Sequence, residues 1–303
     1  MSVGALIGVI AGVLGYVALG IVLRVTKLLS AEDAKPLNTL LIYVALPALV
    51  FVTVHSAEVG WELAAIPALA WLLAIAGVVL AWALSRWLGL AGATAGAFIL
   101  TAAFGNTGYI GYPLASALLG DAGLLRAIFY DIFGNTAAVI TVGALVASRF
   151  GDHDLKVNPL REIVTFPPFI ALGFALALRS VAVPVPVMDW LGVLGTLVVP
   201  LIMVSVGLSL KPAKLREHLP AASLIAAVKL VVLPLLAWAA GSALLHDDAS
   251  LRVLVLEAGV PTMMLTLVIG MRFKLDTDLI ASAIVVTALA SIVTVPLLQL
   301  LIS

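Results

Sequence analysis

The chain is a succession of long apolar runs joined by short polar connections. Crossing the hydrocarbon core of a bilayer takes about 20 helical residues. The runs that approach or exceed this length predict ten transmembrane helices, at residues 3–24, 37–55, 61–86, 91–120, 122–149, 162–180, 187–210, 218–245, 250–271 and 277–301. The pattern therefore predicts an all-α integral membrane protein with ten transmembrane helices, numbered helices 1 to 10 in this order.

The longest polar connection lies at the middle of the chain. It contains the string GDHDLKVNP and defines a connector, 151–161, between a first five-helix repeat, 1–150, and a second, 162–303. Each half contains an odd number of helices. The second half must therefore enter the membrane in the opposite orientation to the first.

Proline positions support an inverted repeat. Pro47 in helix 2 and Pro200 in helix 7 are 153 residues apart, and Pro113 in helix 4 and Pro261 in helix 9 are 148 apart. Both spacings are near half the chain length. Inverted five-helix repeats are typical of secondary transporters.

The distribution of basic residues predicts the orientation. Lys and Arg are retained on the cytoplasmic side of a membrane during insertion. The connections after the odd-numbered helices carry twelve of the 16 Lys and Arg residues, whereas those after helices 2, 4, 6 and 8 carry only three. We therefore expect the cytoplasmic membrane, with both termini outside.

Composition excludes several function classes. The chain is 63% hydrophobic and 11% charged, a composition that is more apolar and less charged than that of soluble proteins. Its net charge of zero gives no basis for nucleic-acid binding. Cysteine is absent, which excludes thiolate metal sites and cysteine nucleophiles. The four histidines fall at helix ends or in connections. We therefore expect no metal site and no cofactor.

Helices 4 and 9 each contain residues that interrupt a helix. Helix 4 carries FGNTGYIGYP, residues 104–113, and helix 9 carries Glu257 followed by AGVPT. Pro113 cannot bond the carbonyl of Tyr109, and Pro261 likewise frees that of Glu257. Main chain without hydrogen bonds survives in a membrane only against protein or a cavity. The paired breaks predict a midplane binding site with unpaired main-chain dipoles facing a solute-sized space.

Three ionisable residues lie deep in predicted helices: Asp131, Lys229 and Glu257. Burying such residues in a bilayer costs free energy, and residues found there are usually functional. Two acids against one base leave a negative charge that a proton or sodium ion could balance, so we expect Asp131, Glu257 and Lys229 to take part in ion coupling. A purely structural pair between Lys229 and a carboxylate is the competing interpretation.

Neutral polar residues at similar depth complete the candidate site. The expected substrate-binding residues are Asn106, Thr107, Tyr109, Tyr112, Pro113, Asn135, Pro261 and Thr262. For the threonines, hydrogen bonds between helices are the default interpretation. The asparagines are better candidates because a buried amide needs several partners.

The string GNTGYIGYPLASALLG in helix 4, followed by Gly-Val-Pro in helix 9, resembles the auxin efflux carrier family. The resemblance extends over the whole chain and includes LNTLLIYVALPALVF in helix 2 and VPLIMVSVGLSL in helix 7. The short connector is similar to the bacterial branch, which includes malate and malonate permeases, rather than to plant auxin carriers.

The resemblance implies a fold related to bile-acid and sodium symporters. In such a fold helices 4 and 9 cross at their breaks, helices 1, 2, 6 and 7 form a scaffold, and helices 3–5 and 8–10 form a transport domain that moves like an elevator. Asn106 matches the family's motif asparagine and would help to bind substrate. A homodimer through the scaffold is also implied.

These observations favour a secondary active transporter for a small organic anion, surrounded by lipid and coupled to a proton or sodium ion. A sodium/proton antiporter of the crossed-helix type is the alternative. Motor-driven transport is not expected, because no phosphate-binding loop is present. An intramembrane enzyme is not expected, because neither a G-x-S-x-G elbow nor a membrane histidine is present. A receptor or channel fits paired helix breaks less well.

Overall fold

The computed structural model describes residues 15–57, 61–151, 161, 164–209 and 215–301, and these residues form helices and no β-strand. In chain order the helices are α1 (Gly15–Val25), α2 (Ala34–His55), α3 (Ala65–Trp87), α4 (Gly92–Ala103), α5 (107–119), α6 (121–150), α7 (Pro167–Ala177), α8 (Val185–Thr196), α9 (Val198–Ser209), α10 (Arg216–Leu244), α11 (Asp248–Ala258), α12 (Leu265–Arg272) and α13 (Thr277–Leu301). The start of predicted helix 1 and most of the connector lie outside the described residues.

Six helical runs among the described residues are long and apolar enough to cross a membrane. They are Ala34–His55, Ala65–Trp87, Thr107–Phe150, Val185–Ser205, Arg216–Leu244 and Thr277–Leu301. The prediction of an all-helical membrane protein is confirmed at this level. The number of ten transmembrane helices and the inverted repeat stay predictions.

The run Thr107–Phe150 is too long for one crossing. Its 44 residues would extend about 66 Å at 1.5 Å per residue, twice the hydrocarbon thickness. Gly120 interrupts it with φ 67° and ψ −160°, a conformation open to glycine and strained for other residues. This break separates α5 from α6, at the boundary predicted between helices 4 and 5.

Wide helical turns precede three of the prolines. The π-helical segments Leu41–Ala45, Thr107–Gly111 and Val228–Val232 lie directly before Leu46-Pro47, Tyr112-Pro113 and Leu233-Pro234. A proline ring clashes with the carbonyl four residues back, and a turn with i→i+5 hydrogen bonds relieves the clash. These helices therefore continue past prolines that would otherwise end them.

Two of the predicted helices are interrupted, as their glycine and proline residues predicted. Predicted helix 4 is the pair α4 and α5, and predicted helix 9 is the pair α11 and α12. In the first pair the break lies at Phe104–Asn106, before the position expected, and Pro113 lies inside the helical run that follows. Predicted helix 6 is shorter than expected, because α7 is confined to Pro167–Ala177.

The contacts divide the chain into two compact units that interleave along the sequence. The first contains the described residues of Met1–Trp61, Tyr112–Ile128 and Leu160–Leu210. The second contains those of Glu62–Gly111, Phe129–Pro159 and Lys211–Ser303. Neither unit coincides with one half of the chain.

Small residues allow close helix packing within the first unit. Gly20 of α1 lies so close to Gly207 of α9 that an added Cβ would be 2.9 Å from the Gly207 Cα. Arg24 donates to the Leu208 carbonyl at 3.2 Å, and Ser205 donates to the Asn38 side chain at 2.8 Å. Close backbone approach with interhelical hydrogen bonds is the usual packing of membrane helices.

Candidate functional site

The two interrupted helices meet within the second unit. Phe104 leaves the helical conformation with φ −106° and ψ 125°, and Gly105 forms an antiparallel bridge with Thr262. The Asn106 N–H donates to the Pro261 carbonyl at 2.8 Å, and the Met263 N–H donates to the Phe104 carbonyl at 3.0 Å. Each break therefore supplies hydrogen-bond partners for main-chain groups of the other.

Side chains satisfy further main-chain groups at the breaks. Lys229 Nζ donates to the Ala258 carbonyl at 2.6 Å, and Asn135 Nδ2 donates to the Gly105 carbonyl at 2.8 Å. At Thr262 the N–H donates to Thr287 Oγ1 at 3.1 Å. The expectation of unpaired dipoles facing a solute-sized space is wrong for these groups, because buried polar atoms in a membrane must find partners.

Asp131 is held by a network of hydroxyl and amide groups. Thr107 Oγ1 donates to Asp131 Oδ1 at 2.6 Å, and Thr136 Oγ1 donates to the same oxygen at 2.7 Å. Asn135 Nδ2 in turn donates to Thr107 Oγ1 at 2.9 Å. All four side chains are buried. Two short hydrogen bonds to one oxygen are the arrangement that stabilises an ionised carboxylate.

Glu257 has a different environment. Its side chain is fully buried, and neither carboxyl oxygen has a hydrogen-bond partner. It does not form the structural pair with Lys229 considered above, because the ammonium donates to a carbonyl instead. Burial of a polar group without such a bond is costly, and in native proteins it calls for an explanation.

Three glycines of the GNTGYIG segment each lie against one ionisable side chain. A Cβ added at Gly105 would be 2.8 Å from Lys229 Cε and Nζ. A Cβ added at Gly108 would be 3.0 Å from Asp131 Oδ2. A Cβ added at Gly111 would collide with the Glu257 carboxyl group. The sequence interpretation treated these glycines as helix breakers and missed this role. The signal available was their three-residue spacing, in a chain with three ionisable residues at mid-membrane.

The remaining predicted site residues are placed as follows. Asn106, Pro261 and Thr262 lie buried at the bridge, and Thr262 Oγ1 donates to the Thr101 carbonyl at 2.8 Å. Tyr109 is half-buried one turn before Tyr112 and Pro113. These last two residues are buried and begin the segment assigned to the first unit.

A small cavity adjoins the bridge in the second unit. Its volume is about 10 Å³, and Tyr130, Asn135, Lys229 and Ala258 are among its lining residues. This is near the minimum needed to hold one water molecule. The breaks are closely packed in the conformation observed, so an organic anion could bind beside Lys229 only after the surrounding helices move.

The network around Asp131 gives a testable expectation. Thr136→Val should lower the free energy of unfolding by about 1–3 kcal/mol, because a hydrogen bond to a buried charged group is lost. Thermal unfolding of the purified protein in detergent measures the change. Thr136→Ser, which retains the hydroxyl, is the matched control. Equal melting temperatures for the valine variant and the unmodified protein would contradict the network.

Comparison with known proteins decides the family. A family model described as a membrane transport protein matches residues 5–299, nearly the full chain. The chain belongs to this family. It is the auxin efflux carrier family indicated by the helix 4 string, so the resemblance is confirmed.

Curated relatives in the auxin efflux carrier family carry transporter names. A protein of Methanothermobacter thermautotrophicus named "Uncharacterized transporter" is 33% identical over 288 residues, 94% of either chain. One of the same description from Methanocaldococcus jannaschii is 32% identical over 294 residues, 94% of this chain and 95% of the relative. A Rhizobium meliloti protein named "Putative malonate transporter" is 28% identical over 275 residues, 86% of this chain and 84% of the relative.

These findings establish the general class of the protein. It is a membrane transporter with several membrane-spanning helices, and it is not an enzyme.

Proposed function

We propose that the protein is a secondary active transporter that carries a small organic anion, a carboxylate such as malonate, across the cytoplasmic membrane. The observation that carries this proposal is the meeting of two helix breaks beside one buried ammonium group. Lys229 and Asn135 both lie at the bridge and both line its cavity.

The electrostatics of the site favour a carboxylate ligand. Lys229 supplies a positive charge in a medium of low dielectric, where charge interactions are strong. The helical segments that begin at Thr107 and Leu265, directly after the breaks, also have partial positive charge at their N-termini. The malonate-related name of the Rhizobium relative supports the same substrate class.

The proposed substrate-binding residues are those predicted from the sequence, with Asn106, Asn135 and Thr262 nearest the bridge. The hydrogen bonds that now join Asn135 and Lys229 to main-chain carbonyls would be exchanged for bonds to the substrate. Such an exchange avoids leaving donors unpaired when the site is empty, since an unsatisfied buried donor is costly.

For the architecture we propose ten helices in two inverted repeats, 1–150 and 162–303, joined by the connector 151–161. Helices 1, 2, 6 and 7 would form a fixed scaffold, and helices 3–5 and 8–10 a moving transport domain with an elevator-type stroke. The division into compact units supports this proposal. Described residues of helices 1, 2, 6 and 7 fall in the first unit, and most of those of helices 3, 5, 8, 9 and 10 fall in the second.

The surroundings of the protein are proposed on the same basis. Large apolar side chains such as Val25, Leu145, Val185 and Trp190 are exposed and would contact lipid. The bias of basic residues supports an orientation with both termini outside the cell. A homodimer through the scaffold follows from the family resemblance.

One observation favours ion exchange as a second candidate function. The cavity at the bridge, which is lined by Lys229, Tyr130 and Asn135, is large enough for water or a small cation but not for an organic anion. A sodium/proton antiporter would need no larger space. Asp131, with its two hydroxyl donors, would be the exchanging carboxylate in that case.

Uptake into liposomes separates the two functions. Purified protein reconstituted into lipid vesicles should exchange labelled malonate, with malate and indole-acetate as further substrates in the panel. Vesicles without protein are the control for leakage. Movement of sodium against protons without exchange of any of the three anions would instead establish the antiporter and refute the organic anion carrier.

A further inference from the structure

The fully buried Glu257 side chain is the group that the proposed function leaves unexplained. Its two carboxyl oxygens lack hydrogen-bond partners, whereas the side chains of Lys229 and Asp131 are hydrogen-bonded. A native protein retains such a group in a membrane when the group has a use.

The two carboxyl groups near the bridge differ in the form that their surroundings favour. Asp131 accepts hydrogen bonds from Thr107 and Thr136, which stabilise its ionised form. No donor serves Glu257, and burial alone favours a neutral acid. In the observed conformation the geometry therefore fits an ionised Asp131 and a protonated Glu257.

The ionisable groups that interact electrostatically with Glu257 are Asp131, Lys229 and the phenol of Tyr130. Helices α3 and α13 also pack against α11. The only charged residues in these helices, Arg86 and Asp278, lie at helix ends. The adjacent segment Leu233–Leu244 carries none, and the segment Thr107–Gly111 carries only the phenol of Tyr109.

The charge balance of these groups links a proton to an anion. With Glu257 neutral, the Lys229 ammonium balances the Asp131 carboxylate. With Glu257 ionised, the cluster carries one net negative charge and repels an incoming carboxylate across a medium of low dielectric. Protonation of Glu257 is thus the step that makes the site receptive to an anion.

A proton fits this position better than sodium. The main chain at Gly111 lies directly against the carboxyl group, where even a methyl group would collide. Sodium would require several further oxygen ligands around the carboxylate, whereas a proton requires only one carboxyl oxygen.

We propose that Glu257 carries the coupling proton, and that the proton and the organic anion cross the membrane together as a symport. This inference rests on the proposed function. The proton binds the Glu257 carboxylate before the anion binds near Lys229. It leaves on the other side after the anion has been released, so no bond other than the O–H bond forms or breaks.

The experiment uses the full chain in proteoliposomes, with labelled malonate and the membrane potential held at zero by potassium and valinomycin. A vesicle interior one pH unit more alkaline than the bath should drive accumulation of the transported species up to about tenfold in the unmodified protein. A pH-sensitive dye inside the vesicles should report acidification when malonate is added. An imposed sodium gradient should have no effect.

Glu257→Gln should retain exchange of internal for external malonate but lose accumulation driven by the pH gradient. Asp248→Asn removes an exposed carboxyl group from the same helix and is the matched control, with accumulation unchanged. Size-exclusion chromatography and melting temperature check that each variant is folded. If the glutamine variant does not fold, the dye signal in the unmodified protein still decides whether a proton crosses with the anion, and its absence overturns the proposal.

The outcomes separate the two proposals. Absence of exchange for malonate, malate and indole-acetate would refute the proposed function itself. Exchange without acidification, accumulation driven by sodium, or full accumulation by Glu257→Gln would leave the carrier function intact and overturn the role of Glu257.

Discussion

Gly111→Ala is expected to reduce the initial rate of malonate uptake by more than about tenfold, equivalent to at least 1.4 kcal/mol. The added methyl group would occupy the position of the Glu257 carboxyl group. Because that side chain is fully buried, it cannot move aside without disturbing its neighbours. Overpacking of this kind also costs about 1–3 kcal/mol of stability, which thermal unfolding in detergent would detect.

Gly173 offers a matched control for this substitution. It lies within α7 and has no atom within 4 Å of the position that a Cβ would take. Gly173→Ala should leave uptake unchanged and add up to about 1 kcal/mol of stability through helix propensity. A second variant, Gly111→Ala with Glu257→Ala, should recover the melting temperature but not the accumulation of malonate driven by a pH gradient. Normal uptake and melting by Gly111→Ala would disprove the close contact.

Lys229→Met is expected to cause the largest loss of stability. It removes the ammonium group that balances Asp131 and leaves the Ala258 carbonyl without its donor. Breaking a buried charge arrangement costs on the order of 3–5 kcal/mol. We expect little folded protein in the membrane fraction, a strongly lowered melting temperature for what remains, and no malonate uptake.

A double substitution tests whether charge balance is the cause. Lys229→Met with Asp131→Asn removes one charge of each sign and should be more stable than Lys229→Met alone, yet still inactive in uptake. Lys35→Met changes an exposed lysine and should leave both melting temperature and uptake unchanged. A stable and active Lys229→Met protein would show that neither the carbonyl contact nor the charge is needed.

Several features of the fold follow from local sequence chemistry. A run of apolar residues such as Ala65–Trp87 must be helical in lipid, because only a helix satisfies its own main chain there. The interruptions near Gly105 and Pro261 were predictable for a similar reason, since glycine and proline destabilise helix interiors. The family was predictable because the helix 4 string is specific.

The exact position of each break was decided by tertiary contacts. The sequence places Pro113 in the interrupted region, but the π-helical turn Thr107–Gly111 carries the helix through it, and the chain opens instead at Phe104–Asn106. The opening there is stabilised by pairing with Pro261 and Met263, from a segment more than 150 residues away. No local propensity encodes a partner at that distance.

What the sequence by itself determined is the membrane setting, the helical class and the presence of three ionisable groups at depth, because these depend on residue type and hydrophobic length. Tertiary structure alone decided which carboxyl group receives hydrogen bonds, which receives none, and which glycine makes room for each charged side chain. The physical reason is that hydrogen bonds and close packing depend on the arrangement of atoms in space, whereas the transfer of an apolar segment into lipid depends mainly on its composition.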